Sequence, residues 1–291
     1  MSDRRLTEKV KKLGRKWGAD MVGIASVDRF HSAPRMSHPT AILPDAKSVI
    51  VLAVRYPKGT TDNWGKPPAE SMYLFQSVQH NMTGIVTPII QHQIYLMLED
   101  AGYLAVPVGG SSYWRYRDYK DVKGGFMADF SHRHAAVAAG LGEFGFQGLL
   151  VTSRFGTRQR LTSIITNAPL APDKLYAGDP ICNRCMKCIK ACPVQALSKK
   201  RTARIEIGDK ECEYCLVDKW RCAWVEQLGM IQESGIGLAG LKTHVPPPKT
   251  MTPEEFLEGP KKRDGFHALS AGWGAYCGRC LRACPVDSRK C

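Results

Sequence analysis

No stretch of this 291-residue chain is apolar for long enough to cross a bilayer. The most hydrophobic run, Ser48–Val54, falls far short of the ~20 residues a spanning helix needs. Low-complexity sequence is missing, and the only internal repeat is a cysteine pattern. Met1–Lys16 is polar and helix-periodic, with neither an apolar core nor a cleavage site, so it does not read as a secretory or twin-arginine leader. Acidic residues are scarce: 27 Asp and Glu face 41 Lys and Arg, a formal charge of +14. Eleven cysteines without a leader argue for ligation rather than a disulfide framework. The expectation is a protein of the reducing cytoplasm with no membrane span. Its hydrophobic share of 44% is ordinary for a globular chain of about two domains.

What the chain does have is Cys182-Asn-Arg-Cys185-Met-Lys-Cys188-Ile-Lys-Ala-Cys192-Pro193. This is C-x2-C-x2-C-x3-C-P, the run that bacterial two-cluster ferredoxins use to hold iron–sulfur cubes. Three thiolates on a tight loop cap three corners of one cube, and the fourth points to another. A partial copy follows, Cys277-Gly-Arg-Cys280-Leu-Arg-Ala-Cys284-Pro285. Zinc needs four ligands in a closed set and leaves the trailing Cys-Pro pairs unexplained. The expected cofactors are two [4Fe–4S] clusters. By the ferredoxin crossing rule, the first takes Cys182, Cys185, Cys188 and Cys284. The second takes Cys192, Cys277, Cys280 and one further cysteine. Cys222, on a predicted helix, is favoured for that place; Cys212 and Cys215 are the alternatives, three apart on a predicted strand and so facing opposite sides. Arg184, Lys187, Lys190, Lys199, Lys200, Arg201 and Arg204 crowd the first run. Such cations favour the reduced cluster and suit an acidic donor or RNA phosphate.

Upstream, Asp3–Gly18 is an amphipathic helix pattern, with Leu6, Val10, Leu13 and Trp17 on one face. Met21–Ala25, Ser48–Val54 and Leu104–Val108 read as strands. Glu70–Ala101 is a long helical pattern that Pro88 must kink or split. Gly109–Gly125 is a long loop rich in aromatics and arginines. Ser131 can cap a helix over His132–Ala139. Gly148–Thr152 and Arg160–Thr166 look like strands paired around Phe155-Gly156. Helices and strands alternate to residue 170, and Pro169–Pro180 reads as a linker. The pattern is α+β, a sheet domain over 1–170 followed by a ferredoxin-like two-cluster domain over 171–291. Beyond the first cysteine run, Arg204–Ile207 and Glu211–Val217 form a hairpin pattern, and Thr252-Pro-Glu-Glu255 opens a short helix.

Ala139-Gly-Leu-Gly-Glu-Phe-Gly-Phe-Gln-Gly-Leu-Leu-Val-Thr152, with Phe155-Gly156, Arg160-Leu161 and the cysteine run after it, resembles the corrinoid iron–sulfur reductases. These comprise epoxyqueuosine reductases and reductive dehalogenases. Gly18–Ala25 and Pro44–Ile50 are similar to the same family. The resemblance implies a nitroreductase-like sheet domain that holds cobalamin without its lower base. It also implies a low-potential donor of ferredoxin or flavodoxin type, and an organic substrate or tRNA. On this reading Gly140, Gly142, Gly145 and Gly148 let backbone approach the macrocycle. His132 and Arg133, beside His134, bind an anionic corrinoid group. Tyr113, Arg115 and Tyr116 stand as candidate proton donors, because a reductase must quench reduced carbon. The sequence departs where epoxyqueuosine reductases carry a catalytic Asp after the strand matching Leu104–Val108, since Gly109-Gly110 stand there. A corrinoid reductase is the leading expectation. A non-catalytic electron carrier or corrinoid-reducing partner, and a tRNA epoxyqueuosine reductase, are the alternatives.

Overall fold

The computed structural model describes residues 2–63, 78–109, 128–225, 246–259 and 277–286. Helix α1 (Arg4–Lys16) starts where the Asp3 carboxylate accepts the Leu6 N–H at 2.8 Å. Its apolar stripe buries Leu6 and Val10, but Trp17 is 42% exposed and falls off the predicted face. Gly14 takes its place, since a Cβ there would stand 2.9 Å from Val22. Strand β1 (Met21–Ser26) follows, then β2 (Ser48–Arg55), which is buried at every position except Arg55. A strand covered on both faces reads as a continuous apolar run, and Ser48–Val54 is such a run. The short helix α2 (Lys58–Asn63) leaves it.

The described part of the long helical pattern is interrupted just before Pro88. A π-turn over Met82–Val86, in which the Thr87 N–H reaches back to the Met82 carbonyl, leads into α3 (Thr87–Asp100), with Pro88 at its second residue. A proline has no N–H to give and its ring clashes with the preceding turn, and a π-turn is one way a helix accommodates that. The part of the pattern before residue 78 lies outside the described residues. Strand β3 (Ala105–Val108), helix α4 (His132–Ala138), and the short strands β4 (Glu143–Phe144) and β5 (Leu150–Val151) come next, then β6 (Gln159–Thr166). The expected pairing around Phe155-Gly156 is not made. β5 pairs with β4, and β6 pairs with β2 and β3. Two-residue strands are too short to carry a period, so the sequence could not show their partners.

The main sheet is antiparallel in the order β1-β2-β6-β3. Alternate residues of β2 serve two cores. Ile50 and Leu52 meet α1 and α3 on one face, through Val10, Ile90 and Ile94. Val49, Val51 and Ala53 meet Ala135–Ala139 on the other. The result is a mixed α/β fold with helices on both faces of one sheet. The chain then returns along α1, where the Asp173 carboxylate takes the Ile24 N–H at 2.9 Å and the Lys11 ammonium at 2.5 Å.

Beyond it lie α5 (Lys187–Lys190) and the hairpin of β7 (Leu197–Ile207) and β8 (Lys210–Val217), turned at Gly208 with φ +60°. The short helices α6 (Lys219–Ala223), α7 (Pro253–Glu258) and α8 (Arg279–Arg282) complete the described chain. Asp218 caps α6 by accepting from Arg221 N, and Thr252 caps α7 by accepting from Glu255 N. Among the described residues no helix is long and apolar enough to cross a membrane.

The sheet core makes one direct test. Ile164, on β6 opposite Ile50 of β2, is fully buried against the α1–α3 layer. Ile164→Ala should lower unfolding free energy by about 2–5 kcal/mol, read as a lower urea midpoint at unchanged slope.

Candidate metal centre

The loop carrying the first cysteines is shaped before any metal is considered. Arg184 and Met186 both sit in the left-handed region, at φ 52° and 60°. Non-glycine residues occupy that region at a cost, so their side-chain surroundings must hold them there. The Arg184 guanidinium donates to Glu213 Oε2 at 2.6 Å and lies over the Phe146 ring. These turns and the start of α5 bring Cys182, Cys185 and Cys188 to one cavity, and Cys284 lines the same cavity. Cys185 is exposed, Cys182 half-buried, and Cys188 and Cys284 buried. Burial pushes the Cys188 thiol up, and Cys182 and Cys284 nearby push it further. Among the described residues no three His, Cys, Asp or Glu side chains close on a single ion. The four thiols line one cavity instead.

The sheet part of the chain holds both cysteine runs. Glu143, on β4, accepts the backbone N–H groups of Ile181 and Cys182, both at 2.8 Å. Three residues on, the Phe146 N–H points at Cys182 Sγ, 3.3 Å away. The Phe146 carbonyl accepts the Cys215 N–H at 2.7 Å, tying in β8. At the other run, Arg158 donates to the carbonyls of Val286 at 2.8 Å, Cys284 at 3.2 Å and Arg282 at 3.4 Å. Thr157 Oγ1 donates to the Leu281 carbonyl at 2.7 Å. Gly156 completes the grip, because a Cβ there would land on the Val286 carbonyl. None of Glu143, Phe146, Thr157 and Arg158 stood out in the sequence as a site residue.

The remaining thiols form a second neighbourhood. Burial pushes Cys280 up to about 12, with Cys192 and Cys188 as the next causes. Cys192 and Cys277 both pack against Val194, Ala196 and Val225. The Ala196 N–H donates to Cys192 Sγ at 3.2 Å. Cys222 is exposed on α6, three residues before Val225. Cys215 is fully buried among Cys188, Cys192 and Leu197, and burial raises its pKa to about 11. Cys212 faces away, into the core beside Ile207. Cys212 also lines a cavity of about 280 Å³ with Glu143, Cys182 and Lys210.

The residues expected to hold a corrinoid are committed elsewhere. His132 is buried rather than solvent-facing, with Nε2 2.6 Å from the Gly109 carbonyl and Nδ1 2.9 Å from Ser163 Oγ. The carbonyl can only accept, so Nε2 carries the proton and Nδ1 accepts from the serine. Arg133 donates to the Gly148 carbonyl at 2.7 Å. His134 bridges Ser131 Oγ and the Tyr214 hydroxyl, so Ser131 does not cap the helix with its side chain. The glycines make room for this chain's own atoms. A Cβ at Gly140 would land on the Lys174 carbonyl, and one at Gly142 on the Val151 carbonyl. Gly145 yields to Gln147, and Gly148, at φ +75°, to the Tyr214 ring. All six are thus engaged with this chain's own groups. Tyr113, Arg115 and Tyr116 lie outside the described residues.

The chain resembles two groups of known proteins. It is 32% identical over 136 residues to the tetrachloroethene reductive dehalogenase of Dehalobacter restrictus, which covers 45% of this chain and 21% of the relative. It is 24% identical over 217 residues to the epoxyqueuosine reductase of Bacillus subtilis, 66% of this chain and 52% of the relative. The chain thus spans about a fifth of the first of these relatives and about half of the second. A solved catabolic reductive dehalogenase in complex with 3-bromo-4-hydroxybenzoic acid superposes with a TM-score of 0.56 at 20% identity, over 97% of this chain and 32% of that one. A reductive dehalogenase structure described for B12-dependent dehalogenation gives 0.55 at 22% identity, over 75% and 29%. No family model matches the chain. Relatives of both names, with the dehalogenase fold, support the corrinoid iron–sulfur reductase superfamily.

The buried histidines make stability depend on pH. Burial lowers His132 to about 4 and His134 to about 3, with Arg133 adding to both. The unfolded chain takes up these protons below pH 6.5 and the folded chain does not. Their contribution is therefore complete above pH 6.5 and lost as pH falls toward 4, on the order of 3 kcal/mol for His132. Urea unfolding from pH 7.5 to 4.5 should show this decline, and His132→Gln should flatten it by about one proton.

Proposed function

We propose that this chain is an iron–sulfur reductase of that superfamily, in which two [4Fe–4S] cubes carry single electrons toward an organic substrate. One observation carries the reading. Two cysteine runs about a hundred residues apart place Cys182, Cys185, Cys188 and Cys284 around a single cavity. Those four would hold the first cube. Cys192, Cys277, Cys280 and a fourth thiol would hold the second: Cys222, exposed on α6, is the residue expected from the sequence, and Cys215 is the one buried beside Cys192 and Cys280. The N–H groups of Phe146 and Ala196, already aimed at cysteine sulfurs, would offset thiolate charge. Cubes so held supply one-electron transfer at low potential. The division into a nitroreductase-like part over 1–170 and a ferredoxin-like part over 171–291 belongs to the same proposal.

Further parts of the reading rest on the relatives. A corrinoid is supported by their kinship and not by the six residues first expected to hold it. A small organic substrate is favoured over tRNA, because Gly109-Gly110 stand in place of the catalytic Asp. The donor is proposed as an acidic, low-potential ferredoxin or flavodoxin of the cytoplasm. Its contact would be the exposed Lys187, Lys190, Lys199, Lys200 and Arg201 around the exposed Cys185.

Protein made and purified without air should contain about eight irons per chain, with the EPR of reduced cubes. Cys182→Ala combined with Cys284→Ala should reduce this to about four. Eight irons persisting in that double variant would refute the shared cavity. Production with cobalamin available, followed by cobalt analysis, separates the corrinoid reductase from a plain electron carrier, which would bind iron and no cobalt.

A further inference from the structure

Gln147 is 4% exposed, and its side-chain nitrogen Nε2 is buried without a hydrogen-bond partner. A buried amide left unpaired is costly, and proteins rarely keep one without a use for it. Its surroundings suggest the use. Gln147 lines the cavity formed by Cys182, Cys185, Cys188 and Cys284. It lies in the turn between β4 and β5, where the Gly148 N–H donates to the Gly145 carbonyl at 2.8 Å. The turn folds the carboxamide back over Gly145, with Oε1 2.6 Å from where a Cβ of that residue would sit. A Cβ at residue 145 would press on both this carboxamide and the Val151 side chain. The neighbouring Phe146 N–H already points at Cys182 Sγ, so the turn that carries Gln147 to the cavity wall already supplies one N–H donor to these sulfurs.

We infer that the Gln147 carboxamide donates an N–H···S hydrogen bond to the sulfurs of the first cube and raises its reduction potential. The inference rests on the cluster reading above. Reduction adds negative charge to the cube, and a donor stabilises the more negative state. Gln147 is thus a tuning residue, and loss of its N–H should make the first cube harder to reduce.

The test uses the full chain, purified without air, as wild type, Q147L and Q147M. Both variants keep the side chain's bulk and remove its donors, so either suffices if the other packs poorly. Iron content and a redox titration followed by EPR are read for each. The expected result is about eight irons in all three, with one of two couples shifted to more negative potential in the variants and the other unmoved. The couple that moves must be the one that disappears in the Cys182→Ala, Cys284→Ala protein. Two unmoved couples in a fully loaded variant, a positive shift, or movement of the other couple would overturn the inference and leave the cluster reading intact. A wild-type chain without cubes would overturn both.

Discussion

The centre of this molecule depends on backbone hydrogen bonds made across long stretches of sequence. Thiols that must share one group have to be brought together by something other than each other, since like-charged thiolates repel. Glu143 and Arg158 do this from the sheet part of the chain. The carboxylate collects the N–H groups at the head of the first run, and the guanidinium fork collects the carbonyls around the second. Each is matched in sign to the groups it gathers, a carboxylate for donors and a cation for acceptors. Charge-assisted bonds of this kind are about twice as strong as neutral ones. The sheet is in turn fixed by β2, packed on both faces, so the accuracy of the thiol positions derives from an apolar core on its far side.

Electrostatics around the cavity then divide into local and general parts. Burial alone would keep Cys188, Cys280 and Cys284 as neutral thiols, because each is pushed up by loss of water and by its sulfur neighbours. Ligation to a cation-rich core reverses that preference. Donors at Phe146 and Ala196 and the cation of Arg158 beside Cys284 work in the same direction. The general excess of +14 acts at longer range, on partners rather than on the cavity.

Much of this was legible in the sequence, and the parts that were not share a cause. Strands β1 and β2 announced themselves by apolar runs, and the cysteine spacing drew attention to the thiols that line the cavity. The helix cap at Thr252 was a local signal. The clamps were illegible because their partners lie far off: 38 residues from Glu143 to Ile181, and 126 from Arg158 to Cys284. A glycine likewise tells that something comes close without telling what. At Gly140 and Gly142 the close atoms are carbonyls of the chain itself, where a macrocycle had been expected. His132 had a helix-terminal position that suits solvent, and only the fold placed it against Ser163.

The shared cavity bears on how the chain tolerates losing its iron. On the proposed ligand set, a cube bonded to Cys188 in one run and Cys284 in the other would be a covalent staple. It would close a loop of roughly 100 residues, which on loop-entropy grounds restricts the unfolded chain by about 4–5 kcal/mol. Few single side chains contribute as much. Iron starvation and mechanical loosening of the C-terminal run would then be two faces of one equilibrium, linked through the sulfur–metal bonds.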